Sequence, residues 1–371
     1  MLKSFSVKGM RNFATETSIS FVPTRDYQFG LNNISEQGLI SNALLMGRNA
    51  SGKSNFGLAL LDIVTIFPAA NVPAGVLDST LFLNADSGRG LASFEYRFQF
   101  GSDEVAIAYE KSAPRELVSE RLSINGDLLY DFDNARGIFK VDNLSVIGAD
   151  STNLEFKDPA LSLIAFITGN TPTEKLGCLA QLRRFVSGMR LVKLDEANDA
   201  RVLAPAIAAR IIKENKVDQL SDFLHEFGIP EKVVTLKEPD GSRALYFEHS
   251  VSCVPFIEGC SSGTRTLLAF FSEFELSSPA TFVFLDEFDA YCHFQMAEKL
   301  LMYFSQKEEC QTLCATHNTS LVKNGTMRPD CVFLIKDIDT GKVVTTFADS
   351  TDRELRLGNN VEKLYRAGEF L

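Results

Sequence analysis

The sequence predicts an α/β core split into two halves along the chain, with an antiparallel strand lobe and a helical insertion between the halves. Three observations predict it. A short apolar run, Ala43-Leu44-Leu45-Met46, leads into the octapeptide Gly47–Ser54 and then a helix-like stretch from Asn55 to Phe67. Residues 91–143 alternate with a period of two, the mark of half-buried strands. Far down the chain a second apolar run, Thr281–Leu285, ends in the paired carboxylates Asp286-Glu287.

The elements follow in order. Leu2, Phe5 and Val7, then Ile19 and Phe21, alternate in strand fashion, and Asn12-Phe13 falls at the turn between those two strands. The helix after the octapeptide ends near Phe67-Pro68. Phe94, Tyr96, Phe98 and Phe100 form one face of a strand, and Val105, Ile107 and Tyr109 a face of the next. Gly101-Ser102-Asp103 forms the hairpin turn between them, and Asn125-Gly126-Asp127 marks another. From about Leu161 to Phe227 the pattern turns helical, most clearly over Val202–Ile212 and at Leu220, Phe223 and Leu224. A hairpin follows, Val233–Leu236 with Ala244–Glu248. Then come a helix (Thr264–Leu276), the strand Thr281–Leu285, a helix (Phe294–Phe304) and strands at Thr312–Thr316 and Cys331–Ile335. The division this implies is 1–90 for the first half of the core, 91–150 for the strand lobe, 151–235 for the helical insertion and 236–371 for the second half.

Gly47-Arg48-Asn49-Ala50-Ser51-Gly52-Lys53-Ser54 is a complete G-x-x-x-x-G-K-S phosphate loop in the strand–loop–helix setting the motif requires. Glycines let the backbone curl so that successive N–H groups point at phosphate oxygens, and the new helix adds its positive end. Lys53 is then expected to reach the β- and γ-phosphates, and the Ser54 hydroxyl to ligate Mg²⁺, with Asn55 at the start of the helix. A carboxylate ending a neighbouring strand sits beside such a loop. Asp286 is accordingly expected to hold Mg²⁺ through water and Glu287 to act as general base toward the attacking water. His317, directly after the strand Thr312–Thr316, reads either as a γ-phosphate contact or as a polar turn residue. Ser261-Ser262-Gly263-Thr264-Arg265 opens a helix. It reads either as a second anion site or as simple N-capping by Ser262. One chain has no evident need of two phosphate sites, but a dimer whose subunits close over each other's nucleotide does.

The chain has 371 residues and a net charge of −11, a poor balance for non-specific DNA binding. The local basic strip of Arg183, Arg184, Arg190 and Lys193, joined by Arg210 and Lys213, reads mainly as a solvated face. Seven cysteines without a C-x-x-C pair predict reduced, buried thiols and a cytoplasmic protein, and Cys310-x-x-x-Cys314 lacks the companions a metal site needs. No signal peptide opens the chain, and its apolar runs are too short or interrupted to span a bilayer.

With these segments in hand, the chain resembles the ABC-type ATPase heads of the SMC, RecF and OLD lineage. The resemblance rests, in order, on Asn12-Phe13, on Gly47–Ser54 with Ala50 in place of a glycine, and on Ser261–Arg265 as the signature segment. Asp286-Glu287 and Ala315-Thr316-His317-Asn318 complete it. It is more closely similar to the compact AAA-type ATP-binding proteins of bacterial phage-defence operons, AriA-like and RloB-associated ATPases among them. That likeness rests on Ser261-Ser262-Gly263-Thr264, Asp286-Glu287-Phe288-Asp289-Ala290, Thr316–Leu321 and the tail Asn360–Tyr365. Relatives carry Leu-His-Pro where this chain has Cys292-His293-Phe294, and Gln99 is the nearest candidate for the glutamine loop although it lies in an alternating strand. The resemblance implies an ATPase with a head-to-tail homodimer or higher even oligomer, two ATP molecules at its interface and Ser262, Gly263 and Thr264 contacting the partner's nucleotide. It also implies an effector in trans, a TOPRIM-like nuclease or toxin, because only a short tail with Asp337-x-Asp339 follows His317. The alternative is a RecF-like repair or chromosome-maintenance ATPase that binds nucleic acid.

Overall fold

A computed structural model describes residues 1–67, 75–88, 90–147, 162–193 and 200–370. Packing divides them into two compact units. The first holds Met1–Leu191, Thr281–Asp286 and Phe304–Leu371, and the second Val192–Ala280 and Glu287–Tyr303.

The first unit contains two sheets. One is a seven-stranded antiparallel sheet in the order β2-β1-β4-β5-β6-β7-β8, built from β1 (Leu2–Lys8), β2 (Thr17–Ser20), β4 (Ala92–Phe100), β5 (Asp103–Ala113), β6 (Glu116–Ile124), β7 (Asp127–Asp133) and β8 (Ile138–Asp142). The expected strand lobe is thus continuous with the N-terminal strand pair. β4 alternates buried and less buried positions along its length, as a sheet with one covered face requires. Its hairpins sit where the turn residues put them. Asn125 and Gly126 both have positive φ, 53° and 87°, the pairing that two-residue hairpin loops favour. Gln99 is a hairpin brace: its amide donates to the carbonyls of Gly101 and Asp103.

The other sheet has six strands in the order β16-β15-β3-β14-β13-β9. They are β3 (Asn42–Met46), β9 (Met189–Lys193), β13 (Phe282–Asp286), β14 (Gln311–Thr316), β15 (Val332–Ile338) and β16 (Gly341–Thr346). β15, β3, β14 and β13 run parallel. β3, β13 and β14 are buried at every position, because parallel strands covered on both faces leave no side for water. Helix α1 (Lys53–Leu60) packs between the sheets. Phe56 meets Phe5 and Phe13 at ring-centroid distances of 5.5 and 5.8 Å, while a Cβ on Gly57 would lie 2.1 Å from the Phe284 ring. The buried Gln311 amide clasps the two sheets: it accepts from the Leu2 amide and donates to the Leu2 and Ile40 carbonyls.

The helix expected to reach Phe67 stops at Leu60 and continues as 3₁₀ turns over Leu61–Ile66. The β-branched run Ile63-Val64-Thr65 favours that change. So does Asp62, which is drawn into the core onto Lys111 at 2.6 Å, with Tyr109 donating to the same carboxylate oxygen. Burial pushes the Asp62 carboxyl up, and the Lys111 charge opposes the shift. A second buried carboxylate, Glu120 of β6, accepts from the Tyr130 and Ser162 hydroxyls and from the amides of Leu163 and Ile164. It thereby anchors the start of α2 (Leu163–Asn170). Helices α3 (Thr173–Leu176) and α4 (Cys178–Ser187) follow, and Phe185 of α4 packs on Phe98 and Phe100 of β4.

The second unit contains a three-stranded antiparallel sheet, β10 (Lys232–Lys237), β11 (Arg243–Glu248) and β12 (Cys253–Pro255). Around it stand α5 (Ala200–Lys213), α6 (Val217–Glu226), α7 (Phe256–Gly259) and α8 (Ser262–Phe271), with most of α9 (Phe294–Ser305). Its centre is aromatic: Phe223 meets Phe227, Phe271 and Tyr303 at 4.8, 5.4 and 5.4 Å. Packing therefore cuts the expected insertion, 151–235, at Leu191. α2–α4 belong to the first unit, since Glu120 and the aromatic face of β4 hold them there, and α5–α6 belong to the second, where they cover the hairpin. Residues 151–161, including Leu161, and 194–199 lie outside the described residues.

A candidate nucleotide-phosphate site

The phosphate loop spans Gly47 to Gly52, between β3 and α1. Both glycines are required by their surroundings. A Cβ on Gly47 would come within 2.8 Å of Ser51 and Ile335, and one on Gly52, whose φ is +106°, would lie 2.3 Å from the Asn12 amide nitrogen. Arg48, Asn49 and Ala50 form the exposed tip, and Ala50 holds a φ of +60° where resembling loops carry glycine. Lys53 is 7% exposed and folds back over the loop, donating to the Gly47 and Arg48 carbonyls at 2.9 and 3.2 Å. An ammonium held inside a ring of backbone is the arrangement that receives phosphate oxygens.

Register brings the other groups to this loop. In the parallel sheet Met46 pairs with Thr316, and Asp286 pairs with Ala315, so three adjacent strands end together at the loop. Asp286, 3% exposed, accepts from the Ser54 hydroxyl at 3.0 Å. A hydroxyl and a carboxylate in contact form an oxygen pair of the kind a hard divalent cation takes. His317 follows β14 and is exposed; beyond it Asn318 caps the 3₁₀ turn Thr319–Leu321 by accepting from Ser320.

Asn55, in the first turn of α1, is fixed from the N-terminal turn. Its amide donates to Asn12 at 3.2 Å, and Arg11 donates to its carbonyl at 3.2 Å. Arg11 also has a positive φ, 49°, and burial lowers its guanidinium pKa despite Asp78 nearby. Sequence reasoning missed Arg11: nothing in its local pattern separates it from other turn residues, and only the fold brings it to Asn55.

Glu287 and the segment Ser262–Thr264 belong to the second unit. Glu287 follows Asp286 in the chain, is exposed and sits at φ +51°, a left-handed conformation rare for a residue with a Cβ. The N-cap of α8 is Ser261 rather than Ser262. Its hydroxyl accepts from the Thr264 amide at 3.1 Å and pairs with the Thr264 hydroxyl at 2.8 Å. The cap thus uses both Thr264 groups and buries that residue, leaving Ser262 exposed and Gly263 half-buried against Met296. His293 is exposed with its ring on Phe294, and the His225 ring contacts the Pro230 carbonyl. Of the basic strip, Arg183 in the first unit donates to the Thr168 carbonyl, and Arg210 in the second pairs with Glu214.

The acidic tail pair is a hairpin. Asp337, the penultimate residue of β15, pairs with Lys342, and Asp339 lies in the turn into β16. Among the described residues no group of His, Cys, Asp and Glu could hold a metal ion by itself. The seven cysteines are free thiols, and burial pushes those of Cys260, Cys292 and Cys310 up to about 12.

Comparison with solved structures decides the class of fold. An SMC head bound to the C-winged helix domain of ScpA aligns over 93% of this chain and 97% of that chain, with 14% identity and a TM-score of 0.50. The SMC head domain with a coiled coil and joint from Pyrococcus yayanosii aligns over 99% of both chains, with 12% identity and a TM-score of 0.50. The chain has the fold of an SMC-type ATPase head. Within this head fold, residues 179–323 match the family model described as "AAA domain, putative AbiEii toxin, Type IV TA system". Comparison with curated protein sequences gives no match. Fold alone does not assign chemistry.

Proposed function

We propose that the chain is an ATP-hydrolysing switch that closes head to tail with a second copy around ATP, its nucleotide state controlling an effector protein in trans in cytoplasmic phage defence. One observation carries the reading. Ser54, just after the loop that follows β3, and Asp286, at the end of β13 on the far side of β14, are in contact at 3.0 Å, with Lys53 held in the loop beside them. Ser54 and Asp286 would hold Mg²⁺, which when bound neutralises charge on the β- and γ-phosphate oxygens. Lys53 would exchange loop carbonyls for phosphate oxygens. Glu287, exposed and next in the chain to the metal-side carboxylate, would take the proton of the attacking water, and His317 would steady the γ-phosphate.

Ser262 stands exposed and Gly263 half-buried at a helix start, in keeping with contact to a second copy's nucleotide. The toxin description of the matched family supports a defence setting, and a solved SMC head bound to ScpA supports the idea of a head that works through another protein. A TOPRIM-like nuclease or another toxin is the effector class this reading names.

The test is the solution mass of Glu287→Gln by light scattering, with and without Mg-ATP. Loss of the base should trap ATP and shift the chain to a dimer or larger only when ATP is present. A monomer that still binds ATP would sink the shared-site arrangement.

A further inference from the structure

The C-terminal helix α10 (Val361–Arg366), in the first unit, reaches the phosphate site from behind. One side of it grips the turn that carries His317. The Thr319 hydroxyl donates to Glu362 at 3.3 Å, Arg366 donates to that hydroxyl at 3.2 Å, and Arg366 pairs with Glu362 at 2.7 Å, closing a three-membered ring of polar contacts. The other side faces the loop. Tyr365 lines a cavity of about 210 Å³ together with Arg48 and Ser51 of the phosphate loop and Leu334–Asp337 of β15. Ser51 is 5% exposed and its hydroxyl is buried without a hydrogen-bond partner.

The helix is itself firmly seated. Asn360 caps it by accepting from the Lys363 amide, and Tyr365 stacks on Phe347 at 5.3 Å. Asn324, buried, donates to the carbonyls of Arg356 and Asn359 in the stretch leading into the helix. A short helix of six residues has little stability of its own. Its order therefore depends on these contacts, two sets of which end at the phosphate loop and at the turn after His317.

We propose that α10 is a positioning element for hydrolysis: Glu362 sets the turn that presents His317, and Tyr365 closes the wall behind the phosphate loop, so that loop and histidine move together. The proposal rests on the ATPase reading above. It adds a role for a tail segment that touches no phosphate. Thr319, Glu362 and Tyr365 act through other groups, so removing them should slow turnover and leave nucleotide binding in place.

Two measurements on the full chain test it. In hydrogen exchange, Mg-ATP should protect the amides of Val361–Arg366 as well as those of the phosphate loop. In steady-state kinetics, Thr319→Val should lower kcat about 10-fold, within the roughly 100-fold that a misplacement of about 1 Å can cost. KM and melting temperature should be unchanged, and Thr319→Ser should restore turnover. Protection of the loop with no change at α10, or full kcat in Thr319→Val, would overturn the proposal. No response at the loop would overturn the nucleotide-site reading, and the positioning role with it.

Discussion

Three residues with side chains hold left-handed backbone at or beside the site: Arg11, Ala50 and Glu287, at φ 49°, 60° and 51°. Each carries a Cβ in a conformation that costs roughly 1–2 kcal/mol for L-residues. At Ala50 the cost has no compensating side-chain contact, because the residue is at the exposed tip of the loop. Ala50→Gly should therefore raise stability, by about 0.5–1 kcal/mol once the greater freedom of glycine in the unfolded chain is deducted. Chemical denaturation checks it, and a loss of stability would mean that the tip is not strained. Arg11 differs. Its guanidinium holds Asn55, so the strained backbone there positions a group at the mouth of the loop.

At the scale of elements, Glu120 shows how a buried charge can organise a fold. Four donors converge on its carboxylate, from β7, from Ser162 and from the first amides of α2. Burial nonetheless dominates and pushes its carboxyl above the ordinary range. The folded state then binds the Glu120 proton more tightly than the unfolded state does. Its contribution is fullest at pH below the ordinary carboxylate value and is lost as pH rises through the raised folded value. The stability difference between wild type and Glu120→Gln, followed by denaturation from acid to neutral pH, should accordingly shrink as pH rises and then level off. A difference that grew with pH would contradict the shift. Strands such as β4 and β5 were legible in sequence because one covered face writes a period of two into the residues. β9, β12, β16 and α10 were not. They are short, and Met189-Arg-Leu-Val-Lys or Cys253-Val-Pro carries no periodicity. Their place comes from neighbours, such as Phe347 under Tyr365, that lie elsewhere in the chain. The site divides the same way. Gly47–Ser54 and Asp286 were legible because their chemistry dictates residue type and spacing, while Arg11 and the Ser261 cap depend on where loops travel.

For the whole molecule, the net charge of −11 separates the two functional readings. Two guanidiniums of the basic strip are already engaged locally, Arg183 with the Thr168 carbonyl and Arg210 with Glu214, which leaves the acidic balance to dominate toward phosphates. Duplex DNA should bind the purified chain no tighter than about 10 µM at ~150 mM salt, no better than the middle of the non-specific range. Fluorescence anisotropy with a labelled duplex checks it. Nanomolar, salt-sensitive binding would favour the RecF-like alternative over a switch that acts through a protein partner.

The order of the parallel sheet has a consequence for how the protein is made. β3, which carries the phosphate loop, is flanked by β14 and β15, and Asn42 meets its partner Thr312 across 270 positions of sequence. During synthesis at about 5–20 residues per second, that separation corresponds to a wait on the order of tens of seconds. Throughout it the apolar stretch Ala43–Met46 has emerged from the ribosome with neither neighbour to pair with. The nucleotide site is thus among the last features of the chain to come into being, although its most recognisable residues are among the first to be translated.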